Sequence, residues 1–138
     1  MVVTRKISLS TRGECDIIDI TPQINQQLAE SGVRQGVVTV FVAGSTAGVT
    51  TIEFEPGLVA DLKAMWQRLI PQGIPYDHDR RWGDGNGYSH VRASLLGASL
   101  VIPFSEGKPA LGTWQQIVLV DFDNRPRDRN VILQITGE

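Results

Sequence analysis

Short β-type runs broken by turn residues occupy most of this chain, and only one segment carries a long helical stripe. That pattern limits the fold to a few strand-rich architectures. Val2 to Leu9 alternates around Val3, Ile7 and Leu9, as a half-buried strand does. Thr11-Arg12-Gly13-Glu14 reads as a turn, with Cys15 to Ile20 as the returning strand of a hairpin. Thr21-Pro22 signals a helix start, which Gly32 can end in a left-handed conformation. Gly36 to Val42 is rich in Val and Phe and is expected as an inner strand, followed by a second strand from Val49 to Phe54. Leu58, Leu62, Met65, Trp66 and Leu69 then fall on one helical face, closed by Pro71. A short helix ending near Leu96 follows, capped by Asn86 or Ser89 and closed by Gly97. Strands at Ser99 to Phe104, Trp114 to Phe122 and Asn130 to Thr136 complete the chain. The expected class is a single α+β domain with a mostly antiparallel sheet and two or three helices, since hairpins replace βαβ alternation.

At 138 residues the chain can bury a real core. A net charge of −2 argues against a nucleic-acid partner, which calls for a basic face. Arg125, Arg127 and Arg129 cluster, but Asp121, Asp123 and Asp128 interleave with them, so the segment closes ion pairs or holds one phosphate. The lone Cys15 excludes an intrachain disulfide and a cysteine zinc site, and its setting points to a buried, unreactive thiol. No apolar run approaches a membrane span, and the first residues lack a signal-peptide pattern. The cytoplasm is the expected compartment.

Both histidines of the chain, His78 and His90, bracket one Gly- and Asp-rich connection between Pro71 and Ser89. Connections of this length in a compact domain are usually functional or mobile. Imidazole titrates near neutral pH and is the commonest metal ligand. Two solvated loop histidines are the plain alternative. As a metal site, His78 and His90 need carboxylate help, for which Asp84 and Glu53 are the best donors. Glu53 ends an apolar strand, where a lone carboxylate needs a cation, a metal or a donor network, and it is a candidate ligand or general base; an ion pair with Arg127 or Arg129 is its structural alternative. Asp84-Gly85-Asn86-Gly87 lacks the alternation and closing Glu of a calcium loop. Gly44-Ser45-Thr46-Ala47-Gly48 is either a tight turn or an anion-binding nest in which Ser45 and Thr46 add donors. Gly112-Thr113-Trp114-Gln115 opens a strand; Trp114 packs in the core if the segment is an ordinary hairpin, and Gln115 offers both donor and acceptor. No histidine has the G-x-S-x-G context of a serine hydrolase.

The chain resembles the YjbQ-like, or UPF0047, family of small trimeric proteins, essentially end to end. The resemblance rests on Gly44-Ser45-Thr46-Ala47 with Glu53, on His78, and on Asp84-Gly85-Asn86-Gly87-Tyr88-Ser89-His90. Further support comes from Pro103-Phe104-Ser105-Glu106-Gly107-Lys108, Leu111-Gly112-Thr113-Trp114-Gln115-Gln116-Ile117 and Asp123-Asn124-Arg125-Pro126-Arg127-Asp128-Arg129. Many members carry a histidine where this chain has Gly44, so a three-histidine metal site is not available here. The resemblance implies a homotrimer and a weak thiamine-phosphate synthase activity, joining hydroxymethylpyrimidine diphosphate to thiazole phosphate with release of diphosphate. On that reading His78, His90, Asp84 and Glu53 hold metal or move protons. Ser45, Thr46, Asn86, Lys108, Gln115, Arg127 and Arg129 hold the phosphorylated substrate. The expected cofactor is a divalent ion, zinc or another transition ion, with magnesium an option for a diphosphate substrate. A non-catalytic trimer that binds a metal or a small ligand is the alternative.

Overall fold

The computed structural model describes residues 1–138. Its elements are β1 (Val2–Thr11), β2 (Asp16–Asp19), α1 (Thr21–Ser31), β3 (Gly36–Ala43), β4 (Ala47–Ile52), α2 (Pro56–Leu69), α3 (Asp77–Trp82), α4 (Gly87–Leu96), β5 (Ser99–Ser105), β6 (Lys108–Pro109), β7 (Gln116–Asp121) and β8 (Arg127–Gly137). They form an α+β domain with two antiparallel sheets, ordered β1-β8-β3-β5-β6 and β2-β7-β4.

The strands are layered by what covers each face. Val38, Val40 and Val42 of β3 alternate toward a core shared with Leu133 and Ile135 of β8 and with Leu119 of β7. The opposite face of the small sheet packs Val118 and Val120 against α2 and α4, where Trp66 meets Phe122 edge-on at 4.9 Å. Covered on both sides, β7 reads as the unbroken apolar run Ile117–Val120 and not as an alternation. Burying one such side chain contributes about 1.5–3 kcal/mol.

Three features differ from the expectations above. The segment after Thr11 does not make a hairpin: β1 pairs with β8, whereas β2 pairs with β7 in the other sheet. Gly13, Glu14 and Cys15 all have positive φ, and this left-handed run turns the chain out of one sheet into the other. A Cβ on Gly13 would lie 2.5 Å from the Arg125 carbonyl oxygen, so only glycine fits there. Trp114 is 71% exposed and precedes the strand, which begins at Gln116. The Pro71–Ser89 connection is not featureless, since it holds α3, and the helices number four.

Three connections cross between the sheets at the same end of the domain: Thr11 to Asp16, Ala43 to Ala47, and Asp121 to Arg127. Strand pairing is lost at each crossing, so the freed polar groups must be satisfied by side chains. The segment joining α3 and α4 docks on this corner. Ser89 donates its hydroxyl to the Phe122 carbonyl, and Asn124 donates to the Asp84 carbonyl at 2.8 Å.

Candidate functional site: a histidine–carboxylate corner

The crossing corner is built around buried acids. Arg129 donates through Nε (2.7 Å) and Nη2 (2.9 Å) to the two oxygens of Asp121, and Nη2 also reaches the Thr46 hydroxyl at 2.6 Å. Thr11 donates to Asp121 at 2.6 Å. Asp123 accepts from Thr46 (2.9 Å), from Arg127 Nε (2.8 Å) and from the Asn124 amide (2.8 Å). Burial alone would raise the Asp123 carboxyl. These donors, with Asn86, outweigh it and hold the group below its ordinary pKa. The interleaved Asp/Arg segment therefore closes ion pairs. Arg129 and Thr46 are committed to that network, whereas the half-exposed Arg127 uses only its Nε there.

The histidines stand on this base. His78 lies in the first turn of α3 and His90 in α4, with ring centroids 4.3 Å apart and the planes at 39°. The Nδ1 atom of His78 is 3.6 Å from Asp79 Oδ1 and 3.6 Å from Asp84 Oδ1. It is shut off from solvent and makes no hydrogen bond. Asp79 is fixed by the amide of Gly87 at 2.8 Å. Gly87 is required for this approach, because a Cβ there would meet Tyr76 Cβ at 2.7 Å. Burial first, and the neighbouring His78 next, lower the His90 pKa below the ordinary imidazole value, against the pull of Asp123 and Asp84. His90 is thus held neutral near pH 7, the form that can ligate a metal.

Asn86 is 4% exposed and lies between two acids. Its amide nitrogen can donate to Asp123 Oδ1 at 3.4 Å, which turns its oxygen toward the Asp84 carboxylate; in the opposite orientation the nitrogen lies 3.1 and 3.3 Å from the Asp84 oxygens. The second orientation satisfies both ends of the amide, so Asn86 donates to the Asp84 carboxylate, and His78 Nδ1 is the atom left without a partner.

The residues expected to share the site divide into two groups. His78, His90, Asp84, Asn86, Ser45, Thr46, Arg127 and Arg129 lie at the crossing corner, and exposed Ser45 lines a small cleft with His90 and Gly44. Glu53, Lys108 and Gln115 do not. Glu53 follows the far end of β4, where Ile52 pairs with Gln116, and it is exposed. The strand stops at Ile52, so its carboxylate turns to water and carries neither a burial cost nor an ion pair with Arg127 or Arg129. From Ala47 to Ile52 the five steps of about 3.3 Å span roughly 17 Å. Gln115 is engaged at that far end, accepting from Gly112 N and donating to Thr51 Oγ1. Asp79 was missed as a partner of His78. Its position one residue after His78 on a helix start was the available signal.

The fold and this corner define a class of small two-sheet α+β proteins with a histidine–carboxylate cluster where the strands change sheets. Residues 5–138 match the family model described as UPF0047 protein YjbQ-like. A UPF0047 protein of Archaeoglobus fulgidus is 41% identical over 129 residues, covering 94% of this chain and 98% of that one. The UPF0047 protein YugU of Bacillus subtilis is 32% identical over 138 residues, covering 99% and 100%. The crystal structure of a YbjQ-like protein from Sulfolobus solfataricus superposes with a TM-score of 0.93 at 35% identity, covering 100% of this chain and 99% of that one. The chain belongs to the YjbQ-like UPF0047 family. None of its helices is long and apolar enough to cross a membrane.

Proposed function

We propose that this protein binds a divalent transition ion at His78, Asp79 and Asp84, with His90 beside them as a further ligand, and uses the site on a phosphorylated small molecule. The observation that carries the reading is the secluded Nδ1 of His78, unpartnered and midway between two carboxylates. A buried polar atom without a partner is costly, and an ion would remove that cost. Imidazole nitrogen favours zinc or a similar ion over calcium; the oxygens of Asp79 and Asp84 leave magnesium as a competitor when a diphosphate supplies further ligands.

The finer reading is thiamine-phosphate synthesis, drawn from the family resemblance. In that reaction a thiazole nitrogen forms a bond to the pyrimidine methylene carbon while the carbon–oxygen bond to diphosphate breaks. A bound ion would neutralise charge on the departing diphosphate. The free guanidinium end of Arg127 and the hydroxyl of Ser45 would supply protein donors to the phosphate oxygens. The open, shallow form of the cleft beside His90 supports a second reading, a non-catalytic ion- or ligand-binding protein.

We further propose that the chain works as a homotrimer in the cytoplasm. Phe41 (43% exposed) and Val101 (58%) lie on the outer face of the larger sheet, where contact with another copy would cover them. Metal analysis of the untagged protein, then diphosphate release from the two thiamine precursors, tests the reading. One bound ion lost in His78→Ala, together with diphosphate release, supports the enzyme. Bound ion without turnover supports the second reading, and no ion overturns both.

A further inference from the structure

The largest cavity of the molecule is not at the histidine corner. It has a volume of about 740 Å³ and opens between α1 and the β5–β6 hairpin, sharing no lining residue with the cleft beside His90. Lys108, expected to serve the histidine site, lines this cavity instead, together with Arg34. Both cations are exposed, and neither makes an ion pair or a side-chain hydrogen bond. Glu106 is the one carboxylate of the lining, and Asn25 adds an uncommitted amide. Apolar surface comes from Ala29, Leu111 and Pro109.

The cavity wall is preorganised. Glu106 and Gly107 both have positive φ (53° and 72°), the tight turn that a two-residue hairpin requires. The Gly107 amide donates to the Arg34 carbonyl at 2.9 Å, tying the hairpin tip to the segment that carries Arg34. Gln115 braces the other rim through Gly112 and Thr51.

We propose that this cavity is a second binding site, for a phosphate monoester attached to a small apolar ring. Arg34 and Lys108 outnumber the one carboxylate, Glu106, so the lining is net positive and favours an anion, and two unpaired cations can share the oxygens of one phosphate. Arg34 offers a planar fork of donors and Lys108 a point charge. The ring lies on Ala29, Leu111 and Pro109, and Glu106 accepts a ring N–H or O–H where the ligand has one. A pocket of mainly apolar floor with a few converging polar groups is the usual form of a small-molecule site. The site stands apart from the ion centre proposed above and does not depend on it.

Calorimetric titration of the metal-free full chain with phenyl phosphate tests this, alongside inorganic phosphate and phenol. Phenyl phosphate is expected to bind, with the two fragments each at least about tenfold weaker, because each supplies only half of the contacts. Arg34→Gln/Lys108→Gln is expected to weaken phenyl phosphate by about tenfold or more. Ala29→Phe, at an exposed α1 position on the cavity wall, should obstruct the place of the ring and weaken binding. His78→Ala should leave it unchanged. No phenyl phosphate binding up to about 10 mM overturns the proposal. So does binding that survives Arg34→Gln/Lys108→Gln but is lost in His78→Ala, which would move the phosphate to the ion centre.

Discussion

The imidazoles of His78 and His90 stand 4.3 Å apart between centroids, held by two different helices that start within one acidic segment. The pair makes the ion site separable from the rest of the molecule. His78→Ala and His90→Ala are each expected to lower zinc or cobalt affinity by about tenfold or more, about 1.4 kcal/mol. Glu53→Gln is expected to leave it unchanged, because Glu53 is exposed at the other end of β4. Cobalt absorption titrations read all three, and a Glu53→Gln loss would mean the site extends along that strand.

Arg129 and Asp121 fasten the two sheets at the corner where strands cross. Arg129→Met leaves the fully buried Asp121 without its cation, and a loss of about 3–5 kcal/mol of folding stability is expected. Arg129→Met/Asp121→Asn should lose less than the sum of the two single changes, since no bare charge is left. Urea unfolding of the four proteins measures the coupling.

Asp123 gives the corner an acid limit. Its folded pKa lies below the unfolded value of about 3.9, so the unfolded chain takes up the proton first as pH falls. Its contribution is therefore present above that value and is lost as pH drops through the folded one. Asp123→Asn should be less stable near neutrality, with a flatter fall in stability below about pH 4 in acid titrations followed by circular dichroism.

Cys15 should resist thiol reagents in the native protein. Burial raises its pKa, although Arg92 and Lys63 pull the other way, so little thiolate forms near neutrality. Ellman's reagent is expected to label it at the rate of global unfolding; fast labelling in native buffer would show that β2 opens locally.

Gly44 sits where the backbone and the buried network leave no room for a side chain. Its φ is 151°, and a Cβ there would come within 2.6 Å of Arg129 Nη1, a group pinned by Asp121. Gly44→His is therefore expected to destabilise the fold and not to add a third imidazole ligand. A rise in zinc affinity without loss of unfolding midpoint would contradict this.

Much of this was legible from local pattern. The stripe ending at Leu69 gave α2, the Val-rich run gave β3, and the shared acidic segment joined the two histidines. What failed depended on partners far along the chain. Cys15 to Ile20 looks like a returning strand, yet its neighbour β7 lies about a hundred residues later, and β1 is taken by β8. Glu53 looked buried because apolar neighbours precede it, but the strand ends at Ile52. Lys108 and Gln115 share a motif with no residue of the ion site, and linear proximity to other motifs could not reveal a cavity shared with α1.

The register of β1 on β8, from Val2 opposite Thr136 to Thr11 opposite Arg127, also sets a timetable. During synthesis the first strand waits for the last one, and β3 lacks its second neighbour until β8 arrives. Until then the edges of β1 and β3 that β8 will pair with are open to any passing chain. Such long-range closure slows folding and lengthens the interval in which nascent copies can pair wrongly. The exposed Lys6 of β1, in the middle of that waiting strand, is the kind of charge that discourages such pairing.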